Sequence, residues 1–142
     1  MKIGLDTDSI GYLFVKICKV RRNKANELLA KYGIHAGQDI LLYQLMKEDG
    51  QTVSNLVENI CIQHATISNM INRMECNGLI TKAKDDCDMR VSRIFITDKG
   101  KEIIQHVDSV RKELEKLTID GLSMEERIIL KRLLQHVLGN FD

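Results

Sequence analysis

The residues with the most chemistry to offer lie between positions 63 and 93. Gln63, His64, Thr66, Ser68, Asn69, Asn72 and Arg73 recur at a spacing that puts them on one face of a helix, with Ile67, Met70, Ile71 and Met74 on the other. Side chains of Ser, Thr, Asn and Gln donate and accept hydrogen bonds at base edges, and Arg can also clamp phosphate. A short polar face of this kind fits a major groove about 12 Å wide. Downstream, Lys82, Lys84, Arg90 and Arg93 surround an acidic run of Asp85, Asp86 and Asp88, and Lys82, Lys84, Asp88, Arg90 and Arg93 are the DNA-binding residues expected in this hairpin. A basic residue at the tip of such a loop is favoured by the negative potential of a minor groove.

Other chemistries find no support. No Ser, His and Asp stand in a recognisable catalytic motif, and there is no Gly-rich phosphate loop, so no enzyme is expected. The aspartates at 85, 86 and 88 read as a solvated loop. Cys18, Cys61, Cys76 and Cys87 are spaced 43, 15 and 11 apart, with no C-x-x-C pair, and read as free thiols. His35, His106 and His136 are isolated, so no metal and no cofactor is expected.

The elements that must carry these residues are mostly helical. The chain has 142 residues, 44% of them hydrophobic, and no Pro to break a helix. Its 21 basic and 20 acidic residues leave a net charge of +1, which excludes a generic polycation but not a localised basic face. Apolar spacing predicts helices over 9–31, 36–47, 52–60, 64–76, 97–117 and from the Ser123 capping box onward, with Thr52 as an N-cap. Residues 79–83 and 91–96 read as the strands of a hairpin with a long polar loop. The fold expected is mainly α, six helices with a two-stranded wing. Helix, tight break, helix, hairpin is the order of a winged helix-turn-helix.

Two further patterns concern association. Ile103, Val107, Val110, Leu114 and Leu117 form a coiled-coil seam longer than a small domain needs internally. The last helix is apolar on more than one face, from Ile128 and Ile129 through Leu133, Leu134 and Leu138 to Phe141. A partner chain is the economical cover. The expected division is a helical dimerisation region over 1–34 and 101–142 and a winged unit over 35–100. No secretory signal and no membrane span are read, and a cytoplasmic protein is expected.

At Ala65-Thr66-Ile67-Ser68, Ile71-Asn72-Arg73-Met74-Glu75-Cys76-Asn77-Gly78-Leu79-Ile80, Asp88-Met89-Arg90 and Ile96-Thr97-Asp98-Lys99-Gly100 the sequence resembles the MarR family of bacterial transcription regulators. The resemblance implies a homodimer held by its terminal helices that reads a pseudo-palindromic operator in double-stranded DNA. It implies that Arg90 enters the minor groove while Asp88 orients it. It also implies repression relieved by a small-molecule effector between the dimer helices and the winged unit, with Tyr12, Cys18, His35 and Tyr43 as candidate lining. Two positions depart from the family: Cys61 stands where Gly is common in the turn, and Gln63 where an acidic or small cap is usual. Two rivals are kept. One is a winged-helix protein-interaction module without specific DNA binding, motivated by the neutral charge and acidic wing. The other is a thiol redox-responsive regulator of the same fold, with Cys18 as its switch.

Overall fold

The computed structural model describes residue 4 and residues 6–60 and 62–142. Helix α1 (Ile10–Leu29) begins where the Ser9 side chain accepts from the Tyr12 N–H, and a short 3₁₀ turn (Ala30–Tyr32) follows it. Gly33, in the left-handed region at φ 74°, ends the run. Then come α2 (Gln38–Lys47), β1 (Gln51–Thr52), α3 (Val53–Ile60), α4 (His64–Cys76), β2 (Ile80–Lys84), β3 (Ser92–Ile96), α5 (Asp98–Thr118) and α6 (Met124–Gly139).

The second helix starts two residues later than its apolar pattern predicts. Gly37 stands at the N-cap and the first helical bond is Leu41 N–H to Gly37 O, so the N–H groups before it, which have no partner in the helix, are taken up by side chains. Asn26 Oδ1 accepts from Ala36 N at 2.7 Å, Gln38 Oε1 from His35 N at 3.1 Å, and Asp39 Oδ1 from Gly37 N at 3.0 Å. Gly37 itself sits at φ 100° with Met70 Cε only 2.8 Å from where a Cβ would stand. The positive φ disfavours any side chain there, whereas the flexible Met70 end could yield.

The sheet has three strands in the order β1-β3-β2, not two. The added strand pairs Gln51 with Ile94 and Thr52 with Arg93. Two residues cannot show an alternating pattern, so the sequence carries no signal for it. Thr52 also caps α3, accepting from Asn55 N at 3.2 Å, as expected. The wing itself is the β2–β3 hairpin, in register from Ile80 against Ile96 to Lys84 against Ser92. From Thr81 outward β2 is exposed, so the wing stands clear of the body.

The core gathers around Leu41, Leu42, Leu45, Leu56, Ile67, Ile71, Met74, Leu79 and Ile94. The inner face expected for α4, Ile67, Met70, Ile71 and Met74, is buried throughout. The seam on α5 is a correction. Val107 and Val110 are buried within this chain, where α5 packs on α1 and α2, and Ile103 and Leu114 lie half-buried on the same core. Leu117 alone of the five is exposed. Helix α6 behaves as its composition predicts. Its capping box is formed, and every large apolar side chain on it except Val137 is exposed.

Candidate nucleic-acid interface

The polar face of α4 is open. Gln63 occupies the N-cap position without a side-chain cap bond, leaving its amide free of that duty. His64, Thr66, Asn69, Asn72 and Arg73 are exposed and Ser68 is half-buried. Ser68 Oγ lies 3.5 Å from His64 Nδ1. Burial of the opposite face fixes the rotation of the helix, so these groups are presented to solvent as one surface.

The base of the wing is tied to this face. Lys82 Nζ donates to Asn72 Oδ1 at 2.8 Å and stands 3.8 Å from Glu75 Oε1, while the Lys82 N–H donates to Glu75 Oε2 at 3.2 Å. Lys84 Nζ turns to the tip and donates to Met89 O at 3.2 Å. At the tip the Arg90 side chain is 91% exposed. Asp88 Oδ1 accepts from Arg90 Nε and from the Arg90 N–H, and Oδ2 accepts from Nη2 at 3.2 Å. The Arg90 guanidinium holds the Asp88 carboxyl below its usual range, helped by that backbone bond. The D-x-R spacing therefore does what its chemistry allows: a carboxylate two residues away pre-organises a guanidinium.

Arg93 faces elsewhere. Its Nε donates to Asp85 and its Nη1 to Gly50 O at 2.8 Å, so it reaches back to the turn before β1 rather than out from the wing. The Arg93 side chain lowers the Asp85 carboxyl, with the N–H groups of Asp88 and Cys87 adding to the effect. Asp85 and Asp88 are thus engaged by arginines. Among the described residues no group of three His, Cys, Asp or Glu side chains could hold a metal ion.

A cavity of about 480 Å³ opens between α1, α2, α5 and the start of α4. Its apolar wall is Ile17, Ala25, Ile40, Ile62 and Leu114, and Arg21, Arg22, Asp39, Gln63 and Thr66 supply polar groups. Of the four residues expected to line such a pocket, Cys18 does. Tyr12 does not. His35 borders a separate hollow of about 290 Å³ with Asn72, Arg73 and Cys76. Tyr43 packs between α2 and α5, donating to Asp108 Oδ1 at 3.0 Å with the Arg111 guanidinium 4.1 Å from its ring centre. Burial raises the Tyr43 hydroxyl pKa most, against the opposing Arg111 hydrogen bond. The arginines and Asp39 were missed because nothing in their spacing marks a cavity formed by four distant segments. Cys18, Cys76 and Cys87 are exposed free thiols, and Cys61 lies outside the described residues.

Helix α3 packed through Leu56 and Ile60, a tight break, the helix α4 with its open polar face and a braced two-stranded wing define a winged helix-turn-helix protein. Residues 37–92 match the model of the MarR family. An uncharacterized HTH-type transcriptional regulator of Bacillus subtilis (strain 168), YsmB, is 30% identical over 125 residues, covering 84% of each chain. The S. aureus MepR–DNA complex superposes with a TM-score of 0.86 at 27% identity, over 93% of this chain and 98% of that one. PcaV of Streptomyces coelicolor, in complex with its natural ligand, shares the fold at a TM-score of 0.86 and 19% identity, over 99% of this chain and all of that one. The chain belongs to the MarR family. It is accordingly a DNA-binding transcription regulator, not an enzyme. Among the described residues no helix is long and apolar enough to cross a membrane.

Proposed function

We propose that this protein is a ligand-responsive repressor that binds a pseudo-palindromic operator as a homodimer in the cytoplasm. Residues 1–34 and 101–142 form the dimerisation region and 35–100 the winged unit. Gln63, His64, Thr66, Ser68, Asn69 and Arg73 meet base edges and phosphates in the major groove. Lys82 and Lys84 supply positive charge at the wing, and Arg90, oriented by Asp88, enters the minor groove.

The observation that carries this reading is the Asp88-held guanidinium of Arg90 on an otherwise exposed wing, next to an open polar face on α4. The complex of MepR with DNA supports the partner. The exposed apolar surfaces of α1 and α6 support a dimer, and two-fold symmetry in the protein asks for two-fold symmetry in the operator. The cavity beside the start of α4 supports a ligand, as does the ligand held by PcaV. Apolar walls with a few polar groups among them suit a small amphipathic molecule. Its binding shifts the separation of the two recognition helices, which must span about 34 Å in the DNA-bound state.

Fluorescence anisotropy with the duplex upstream of the protein's own gene, against a scrambled duplex, tests the reading. The expected result is tight binding to the first only, weakening steeply with salt. Absence of preference there, and again in a selection from random DNA, overturns it in favour of an interaction module. One observation favours a thiol switch as a second reading: Cys18 lines the cavity. Oxidant then releases DNA from the wild type and not from Cys18→Ser; equal sensitivity removes the switch.

A further inference from the structure

We propose that Arg93 is a positioning residue for DNA binding, which acts through Asp85 and Asp88 to hold the Arg90 guanidinium in place, rather than a DNA contact. The proposal rests on the reading of Arg90 given above. Arg93 lies in the central strand, opposite Thr52 of β1 and Ala83 of β2. Its guanidinium joins Gly50 O in the body to the Asp85 carboxylate at the root of the wing loop. The other oxygen of Asp85 accepts from the N–H groups of Cys87 at 3.1 Å and Asp88 at 3.0 Å. Asp88 in turn holds Arg90 by both carboxylate oxygens. The hydrogen bonds thus run without a break from the body of the winged unit to the exposed guanidinium.

Both ends of this path suit the role. Gly50 is a firm anchor: its N–H donates to Ile94 O at 3.0 Å, its φ is 73°, and the Phe95 ring packs so close that a Cβ would stand 2.9 Å away. The outer wing, by contrast, has little apolar packing: Ile80, Ile94 and Ile96 are buried at its base, while β2 is exposed from Thr81 to Lys84. A ribbon end without a packed face is marginal in water, so polar ties must set its direction. The Asp85 side chain is only 16% exposed, and a carboxylate so covered needs its charged partner. A phosphate drawing Arg93 away would leave Asp85 unpaired.

The test compares full-length wild type with Asp85→Ala, Arg93→Met, Arg90→Ala and the double variant Arg90→Ala/Arg93→Met. Each is titrated by anisotropy, over a salt series, against one duplex selected from random-sequence DNA by the wild type. Asp85→Ala gives the sign. Removing a negative charge near DNA strengthens binding if Coulomb attraction alone matters, whereas losing the tie weakens it, by about 3- to 10-fold. The cycle gives the route. Arg93→Met weakens the wild type by a similar factor but changes neither affinity nor salt slope once Arg90 is gone. A phosphate contact would instead cost the same in both backgrounds and lower the slope by about 0.9. Tighter binding by Asp85→Ala, or additive losses, overturns the positioning role while leaving Arg90 its own. Arg90→Ala without effect overturns the reading of Arg90 and this proposal with it. Thermal melting identifies a variant that fails to fold; should Arg93→Met do so, Asp85→Ala, which leaves the Arg93 bond to Gly50 O in place, still decides the sign.

Discussion

Arg90 is held by Asp88 through two side-chain bonds and one backbone bond, yet its guanidinium remains almost wholly in solvent. A group so arranged contributes little to folding, and in the function proposed above its role is recognition. Arg90→Ala is expected to weaken DNA binding by about tenfold or more, the range of a charged groove contact, with an unchanged melting temperature. Anisotropy and a thermal melt check the two halves. The carboxyl of Asp88 offers a second readout. Its pKa is lowered chiefly by the Arg90 side chain, so the tie is fully present above the unfolded aspartate value of about 4 and is lost as pH falls through the lower folded value. Carboxyl NMR should place the Asp88 midpoint below the ordinary aspartate value in the wild type and move it upward in Arg90→Ala. No movement would separate Asp88 from Arg90. The D-x-R pair and the polar face of α4 were legible because their partners lie within one loop or one helix. The direction of Arg93 was not, since it is set by Asp85 across the hairpin and by Gly50, 43 positions earlier. Local spacing cannot encode that.

At the scale of elements, the joint between the wing and α5 is where sequence and packing meet most tightly. Thr97 caps α5 by accepting from Gly100 N at 3.1 Å, and its hydroxyl donates to Gly78 O at 2.6 Å. Gly100 lies in the first turn with ordinary helical geometry, so conformational freedom does not explain it. Space does: a Cβ there would stand 2.4 Å from Leu79 O and 2.8 Å from Ile96 Cγ1. The Leu79 carbonyl already accepts from Thr97 N at 3.1 Å and cannot retreat without breaking that bond. Gly100→Ala should therefore destabilise the protein by about 1–3 kcal/mol despite the better helix propensity of Ala, seen as a lower denaturant midpoint. A rise would mean that α5 slides without cost. The boundaries of α4, α5 and α6 were legible because caps and periodicity agree there. The start of α2 was not, because it is set by Gly37 turning to φ 100° at the N-cap and by Asn26 in α1 accepting from Ala36 N, neither of which apolar spacing reveals.

For the whole molecule, the decisive feature is the amount of apolar surface that this chain cannot cover. Leu133, Leu134 and Leu138 on α6 are 46%, 43% and 68% exposed, and Phe141 is 84% exposed. Ile10, Leu13, Ile17 and Val20 add a second such surface on α1. Sequence pattern alone could not sort these from the α5 stripe, since a 3–4 spacing looks the same whether its partner is the chain's own core or another copy. The structure assigns Val107 and Val110 to the core and leaves α6 bare. A helix of 16 residues standing by itself in water is marginal even with a good capping box. Burial of each leucine in a dimer would contribute about 1.5–3 kcal/mol, which stabilises α6 and the assembly together. Leu134→Glu with Leu138→Glu reverses that term and places two charges per chain in the proposed interface. The double variant is expected to sediment as a monomer, to lose helical circular dichroism in proportion to α6 rather than to the whole chain, and to bind DNA far more weakly, because one winged unit then engages one half-site. A variant that remained dimeric would move the dimer contact away from the end of α6. One that became monomeric yet kept full affinity would break the link between dimerisation and operator binding.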